Sequence, residues 1–429
     1  MSLRNWNRLV ILIGILAPAL TAQEHWVATW AASPQAPRVN FPRPPQAAAA
    51  PAPPQGNAPP PFAPPPSINN QTVRMVVHTS IGGRRARIQL SNAFGTTPLA
   101  VGAAHIALRE KASAIVPSSD RALTFSGKPS FTIPPGAEVV SDAVDLEVPK
   151  LSDVVISVYL SGEAPAPTLH LTGLHTTYIS KPGDFSGAAA IAEPATTQSW
   201  YWLSSVGVLA PADTGLIVAF GDSITDGATS TPDTDRSWPS QLAQRLQAID
   251  ATAGLAVVNQ GISGNRLLRD GAGVSALARF DRDVLSQPGV KWLVVMEGIN
   301  DIGIGGRAGA AAADVVTADD LIAAHKQIIE RAHMHGIKAI GATLTPFAGA
   351  AYYSEEGETL RRAVNEWIRT SKAYDAVIDF DAITRDPENP KQIRPMYNIR
   401  DHLHPNDLGY RMMAEAFDLS LFVAKPAAR

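Results

Sequence analysis

The change of rhythm at Gly215 constrains this chain more than any other feature. From there on, short apolar runs alternate with amphipathic segments of helical length. Leu216–Phe220, Ala256–Asn259, Trp292–Met296, Lys338–Thr343 and Ala376–Phe380 read as strands. Ser237–Ile249, Ala318–His335, Glu358–Lys372 and Asp407–Val423 read as helices. Thr317 and Asp320 make a capping box for the second of these, and Gly336 ends it. Strands this apolar cannot face water on either side, so they belong to a parallel sheet covered by helices on both faces. Right-handed crossovers then place every strand's carboxyl end, and any ligand site, along one edge.

Upstream the pattern is β-like. Val73–His78, Arg85–Leu90, His105–Leu108, Ala122–Phe125, Ala137–Ser141 and Val154–Tyr159 are short, partly alternating runs separated by turns such as Gly82-Gly83 and Pro134-Pro135-Gly136. An antiparallel β-sandwich, jelly-roll-like, is expected over residues 23–195, with a linker over 196–213 and the α/β unit over 214–429. A length of 429 residues suits two domains. Residues 34–66 are so rich in proline that no packed element is expected, and they read as a solvated insertion. At the start, Arg4 and Arg8 precede an apolar run over residues 9–20 and small residues up to Ala22. That is the layout of a secretory signal peptide over residues 1–22, too short for a bilayer span. The expectation is a bacterial periplasmic or extracellular protein with no membrane span after cleavage.

Composition removes several function classes. There is no cysteine, hence no disulfide, thiol nucleophile or cysteine-ligated zinc. The net charge is −3 and no Lys/Arg tract occurs, which argues against a nucleic-acid partner. The composition leaves the oligomeric state open.

The chemistry concentrates at strand ends. Leu216–Phe220 runs straight into Gly221-Asp222-Ser223, placing a serine where open α/β sheets hold ligands. A serine hydroxyl attacks only when a base takes its proton, and that base works best when a third group orients it. Asp401 and His404, three residues apart, supply carboxylate and imidazole. Acyl transfer also needs donors for the oxyanion. The Ser223 N–H, the Gly264 N–H in the loop after the second strand and the Asn300 amide after the third are candidates.

These blocks, Gly221-Asp222-Ser223, Gly264, Gly298-Ile299-Asn300-Asp301 and Asp401-x-x-His404, resemble in content and order those of the SGNH, or GDSL, hydrolase superfamily. The likeness runs roughly from Leu216 to Phe422. The resemblance implies a three-layer α/β/α, flavodoxin-like catalytic domain with Ser223 as nucleophile, His404 as general base and acid, and Asp401 as orienting carboxylate. Ser223, Gly264 and Asn300 would form the oxyanion hole. It also implies a cofactor- and metal-free ester hydrolase. The whole chain further resembles a secreted two-domain subgroup associated with polysaccharide degradation. Its β domain carries segments like Thr79-Ser80-Ile81-Gly82-Gly83 and Ser91-Asn92-Ala93-Phe94-Gly95. A carbohydrate O-acyl ester is therefore the first expectation for substrate. The alternatives are a lipid-directed esterase or lysophospholipase, and a catalytically inactive polysaccharide-binding protein. Two features depart from the pattern: the proline-rich insertion, and His402 where a small residue is expected.

Some residues carry competing readings. Asp222, Arg266 and Asp301 are candidate substrate contacts, but a loop carboxylate bonded to backbone, or an arginine paired with an acid, would look the same in sequence. His402 and His404 could ligate a metal, yet no third ligand lies nearby. His333 and His335 fall in the last turn of a helix, where imidazoles suit the dipole. Trp26, Trp30, Trp200 and Trp202 could stack on sugars, although aromatics of β domains more often fill the core.

Overall fold

The computed structural model describes residues 24–36, 67–164 and 168–423. The expected leader (1–22) lies outside the described residues, as does the proline-rich insertion beyond its first three positions.

The N-terminal unit is built of antiparallel sheets. In the five-stranded one the order is Trp26–Ala31, Leu203–Leu209, Gly83–Ser91, Glu138–Val140, with Val144–Val148 also paired to Gly83–Ser91. Alternation fixes its faces. Ala86, Ile88 and Leu90 are buried while Arg85, Arg87 and Gln89, which alternate with them, are only partly covered. The eight-stranded sheet centres on Ile68–His78 between Asp153–Ala164 and Thr177–Pro182. Its two faces are both apolar: Val73, Met75 and Val77 join the main core, while Val76 packs with Ala107, Val155, Tyr178 and Ile191. Trp30, Trp200 and Trp202 are buried, the first two edge to face at 4.8 Å, so they serve the core rather than an open sugar platform.

Residues 196–213, expected as a linker, instead contain Trp200–Tyr201 and the strand Leu203–Leu209. That strand lies inside the five-stranded sheet, between Trp26–Ala31 and Gly83–Ser91. Its partners are far upstream, so no local pattern reveals that it is a central strand.

The C-terminal unit carries a parallel five-stranded sheet in the order Leu255–Gly261, Gly215–Gly221, Val290–Met296, Lys338–Ala342, Ala376–Ile378. In chain order this is 2-1-3-4-5, so the first strand sits where the winding reverses and a crevice opens at its carboxyl end. Helices Trp238–Gln247, Ala318–Met334, Glu355–Thr370 and Asp407–Glu415 follow the expected segments. The capping box of Thr317 and Asp320 is formed, and Gly336 has φ +70° just past the helix end. The last helix is shorter than expected. It stops at Glu415, and Asp418 caps a separate turn, Leu419–Phe422, which tucks Phe417 and Phe422 into the aromatic core.

The two units share one apolar cluster. Leu255–Gly261 is the outermost strand of the parallel sheet, and the N-terminal unit covers its open edge. The Val257 N–H donates to Ser80 Oγ (3.1 Å), and Ser33 Oγ donates to Gln260 Oε1 (2.6 Å). An edge capped in this way cannot pair with another chain.

Candidate active site

The first strand delivers Ser223. A Cβ on Gly221 would sit 2.6 Å from the Met296 carbonyl oxygen and collide with Thr225, so the turn can form only with glycine there. Asp222 caps the short helix Ser223–Asp226: its Oδ1 accepts from Ile224 N–H at 3.0 Å, and Gly227, at φ +97°, closes the turn. Ser223 is thereby held at the first helical position, 6% exposed.

Asp401 organises its own loop. Its Oδ1 accepts the N–H groups of Leu403 and His404, both at 2.9 Å, and its Oδ2 lies 2.5 Å from His404 Nδ1. His404 Nε2 is 2.8 Å from Ser223 Oγ. With a carboxylate opposite Nδ1, the ring donates there and presents the Nε2 lone pair to the serine hydroxyl. Burial pushes the Asp401 carboxyl up, but the bonds it accepts from His404 outweigh this and hold it below the ordinary carboxylate range. His402 adopts φ +60° and its ring packs on Gly349, while the His404 ring is engaged by Asp401 and Ser223.

Of the two other oxyanion candidates, Gly264 lies in the loop after the second strand and Asn300 in the first turn of the helix Ile299–Gly305. Gly264 has φ +81°, a left-handed turn that suits glycine. Asn300 is buried, with Nδ2 donating to Asn265 O at 2.8 Å and Oδ1 accepting from Tyr352 OH at 3.3 Å. Its amide nitrogen keeps a second hydrogen beyond that bond. No backbone hydrogen bond among the described residues takes up the Ser223 or Gly264 N–H in these turns.

The three candidate substrate contacts make bonds within the protein. Asp301 is buried and receives the N–H groups of Leu267 (2.7 Å) and Leu268 (3.0 Å). Burial pushes its carboxyl up to about 6, with those bonds acting against the rise. Arg266 pairs with Asp314 at 2.7 Å and also donates to Asp270 O. Asp222 is fully buried; burial first, then the charges of Asp301 and Asp226, push it up to about 7. Glu297 lies fully buried beside it and is raised well above its usual range by burial and by Asp222. Asp222 Oδ2 and Glu297 Oε2 have no hydrogen-bond partner. Two acids so placed stay partly protonated at neutral pH, since ionising both in a low dielectric is costly.

Several residues bonded to the expected ones or to their chain neighbours carry no sequence signal: Tyr352 on Asn300, and Arg279 on Asn265 and Asp226 on Ser263, either side of Gly264. They are ordinary buried polar residues until the fold brings them together. One group of side chains among the described residues has metal-ligand spacing, His78, Asp153 and Asp235, with their ligand atoms within 4.8 Å of one another. These atoms are already committed. His78 Nδ1 contacts both carboxylates, Arg109 holds the other oxygen of Asp153, and His175 that of Asp235. The group includes none of the expected site residues.

A serine, an imidazole and a carboxylate in hydrogen-bonded series at the switch point of a 2-1-3-4-5 sheet define a class of α/β hydrolase-like sites. Residues 217–417 match the family model of the GDSL-like lipase/acylhydrolases. An acetylxylan esterase from Geobacillus stearothermophilus is 28% identical over 215 residues, 47% of this chain and 91% of that protein. Among solved structures, a lipolytic protein of the G-D-S-L family from Desulfitobacterium hafniense is 24% identical, with a TM-score of 0.36 over 47% of this chain and 97% of that one. A structure of the Geobacillus stearothermophilus acetylxylan esterase is 22% identical, with a TM-score of 0.38 over 49% of this chain and 95% of the other. The family match and the curated relative place the α/β unit in the SGNH/GDSL hydrolase superfamily, as an acylhydrolase of GDSL type.

Proposed function

We propose that this protein is a serine carboxylic-ester hydrolase that removes short acyl groups, acetyl first, from carbohydrate esters. The observation that carries the reading is the pair of contacts made by His404, 2.8 Å to Ser223 Oγ and 2.5 Å to Asp401 Oδ2. In this mechanism Ser223 Oγ attacks the ester carbonyl carbon while His404 Nε2 takes its proton. Asp401 stabilises the imidazolium. The tetrahedral oxyanion is held by the N–H groups of Ser223 and Gly264 and the amide of Asn300. Collapse expels the alcohol, which receives the proton from His404 and leaves an acyl-serine. Water, deprotonated by His404, then attacks that ester, and the acid departs as Ser223 recovers its proton.

The preference for acetylated carbohydrate follows from the acetylxylan esterase relative. We place the boundary between the units after Leu209, ahead of the strand that begins at Gly215, and read the N-terminal one as a jelly-roll-like sandwich. Export to the periplasm or beyond rests on residues 1–22. No helix of the described residues is long and apolar enough to cross a membrane.

Hydrolysis of an aryl acetate, followed by acetate release from acetylated xylan, tests the assignment. Ser223→Ala is expected to lower kcat by roughly 10⁴–10⁶. A variant that retained a tenth of wild-type activity, or a wild type no faster than the variant, would end the ester-hydrolase reading.

A further inference from the structure

The β unit contacts the catalytic unit through a chain of buried polar groups that ends on either side of Gly264. His170, in the short strand Leu169–His170, is 3% exposed. Its Nδ1 is 3.0 Å from Ser33 O, and its Nε2 is 3.0 Å from Asp226 Oδ1. A carbonyl and a carboxylate are both acceptors, so the ring donates at both nitrogens and carries a positive charge. Burial works against that charge, but Asp226 outweighs it, with Arg279 opposing, and the imidazole is raised from its ordinary value.

Asp226 spends its other oxygen on one residue. Its Oδ2 accepts from Ser263 N–H (2.8 Å) and Ser263 Oγ (2.6 Å). Ser263 immediately precedes Gly264, and Asp226 itself ends the short helix that starts at Ser223. One carboxylate thus ties the serine-bearing helix to the turn of the second loop. On the far side of Gly264, Arg279 Nε donates to Asn265 Oδ1 at 2.8 Å, and its Nη1 donates to Ser33 Oγ at 2.9 Å. Ser33 and His170 belong to the N-terminal unit, so that unit grips both neighbours of Gly264.

We propose that the N-terminal β unit is a working part of the catalytic centre, with His170 and Asp226 as positioning residues that set the Ser263–Gly264 turn, and hence its oxyanion N–H, relative to Ser223. This rests on the ester-hydrolase reading for its catalytic consequence. The physical reason is that an oxyanion donor contributes only when preorganised at the right place; the turn's own backbone bond, Asn265 N–H to Ile262 O at 2.9 Å, shapes it locally, and the Asp226 bonds tie it to the serine-bearing helix. A positive ring behind Asp226 keeps that carboxylate an acceptor for all three of its bonds. Without the ring, a buried carboxylate would lose the cationic neighbour it contacts directly and its pull on Ser263 would weaken.

The test uses the full chain, with wild type and Ser223→Ala as references. His170→Phe removes both donors; His170→Gln keeps one that can reach Asp226; Asp226→Asn keeps the shape but leaves a single accepting oxygen. On an aryl acetate, His170→Phe and Asp226→Asn are expected to lower kcat roughly 10- to 100-fold, the scale of a small misplacement of catalytic groups, with KM changed less than about threefold. His170→Gln should recover most of the loss. Asp226→Asn combined with Ser263→Ala should be no slower than Asp226→Asn alone, because both remove the same bond. A general loss of stability would produce neither that non-additivity nor the kcat-only effect. Folded His170→Phe and Asp226→Asn proteins that keep more than half of the wild-type kcat would overturn the proposal, as would effects of Asp226→Asn and Ser263→Ala that multiply. Amide hydrogen exchange at Ser263 reads the companion bond from its backbone N–H to Asp226 Oδ2 without substrate. Protection lost in His170→Phe and largely kept in His170→Gln supports the positioning chain, and unchanged protection in His170→Phe refutes it. If wild type is no faster than Ser223→Ala while that protection is lost as expected, the ester-hydrolase reading fails and the positioning chain does not.

Discussion

Asp222 occupies the position next to the serine, yet its side chain is fully buried in a site that disfavours its charge. Because burial raises its carboxyl to about 7, the folded state holds a proton that the unfolded chain releases near pH 4. Stability from this group is therefore complete at acid pH and is lost as pH climbs from about 4 to about 7. Asp222→Asn keeps an oxygen for Ile224 N–H and removes the titration. Its unfolding free energy should fall with pH less steeply than that of wild type in this window, by up to about 1.4 kcal/mol per pH unit. Urea melts at several pH values measure this, and parallel curves for the two proteins would show that Asp222 is ionised in the folded state. The sequence marked Asp222 as either a substrate contact or a backbone-bonded carboxylate. Its bond to Ile224 is local and was legible, whereas its burial beside Glu297 depends on a strand far along the chain.

At the scale of elements, legibility followed the range of the interactions. The helix Ala318–Met334 could be read because its start and stop are written within a few residues, in Thr317, Asp320 and Gly336. Thr317→Ala should cost about 1 kcal/mol of stability by deleting the cap. This helix holds no site residue, so kcat on an aryl ester should stay within about twofold; a larger change would mean that the helix steers the loop after the third strand. The strand Leu203–Leu209 reads as linker in sequence because its ladder partners, Trp26–Ala31 and Gly83–Ser91, are remote. The last helix was drawn too long because the apolar pattern continues past Glu415, although Phe417 and Phe422 enter the core from a loop and a separate turn.

Over the whole molecule, the two units are joined by a common core and by buried hydrogen bonds across the outermost parallel strand. A fragment beginning at Pro211 would expose the Val257 N–H edge, leave Arg279 and Asp226 without Ser33 and His170, and uncover apolar surface. Such a fragment is expected to aggregate or to unfold without cooperativity. A monomeric fragment with a sharp thermal transition near that of the full chain would show that the interface contributes little. The same interface holds a partly open cavity of about 80 Å³ whose lining includes Trp30, His78, His170, His175, Trp200 and Asp226. It is room for ordered water, which would serve the buried polar groups there.

The sequence by itself determined the pieces whose physics is local. These are the apolar strand running into Gly221-Asp222-Ser223, the capped helices, and the Asp401-x-x-His404 loop whose carboxylate binds its own backbone N–H groups. Only the tertiary structure decided which polar residues meet across the chain: His404 with Ser223, Arg266 with Asp314, and His170 with Asp226 and through it Ser263. Hydrogen bonds within a turn leave a fixed spacing in the sequence. Bonds between remote segments leave none, because their partners are chosen by how the strands and helices pack.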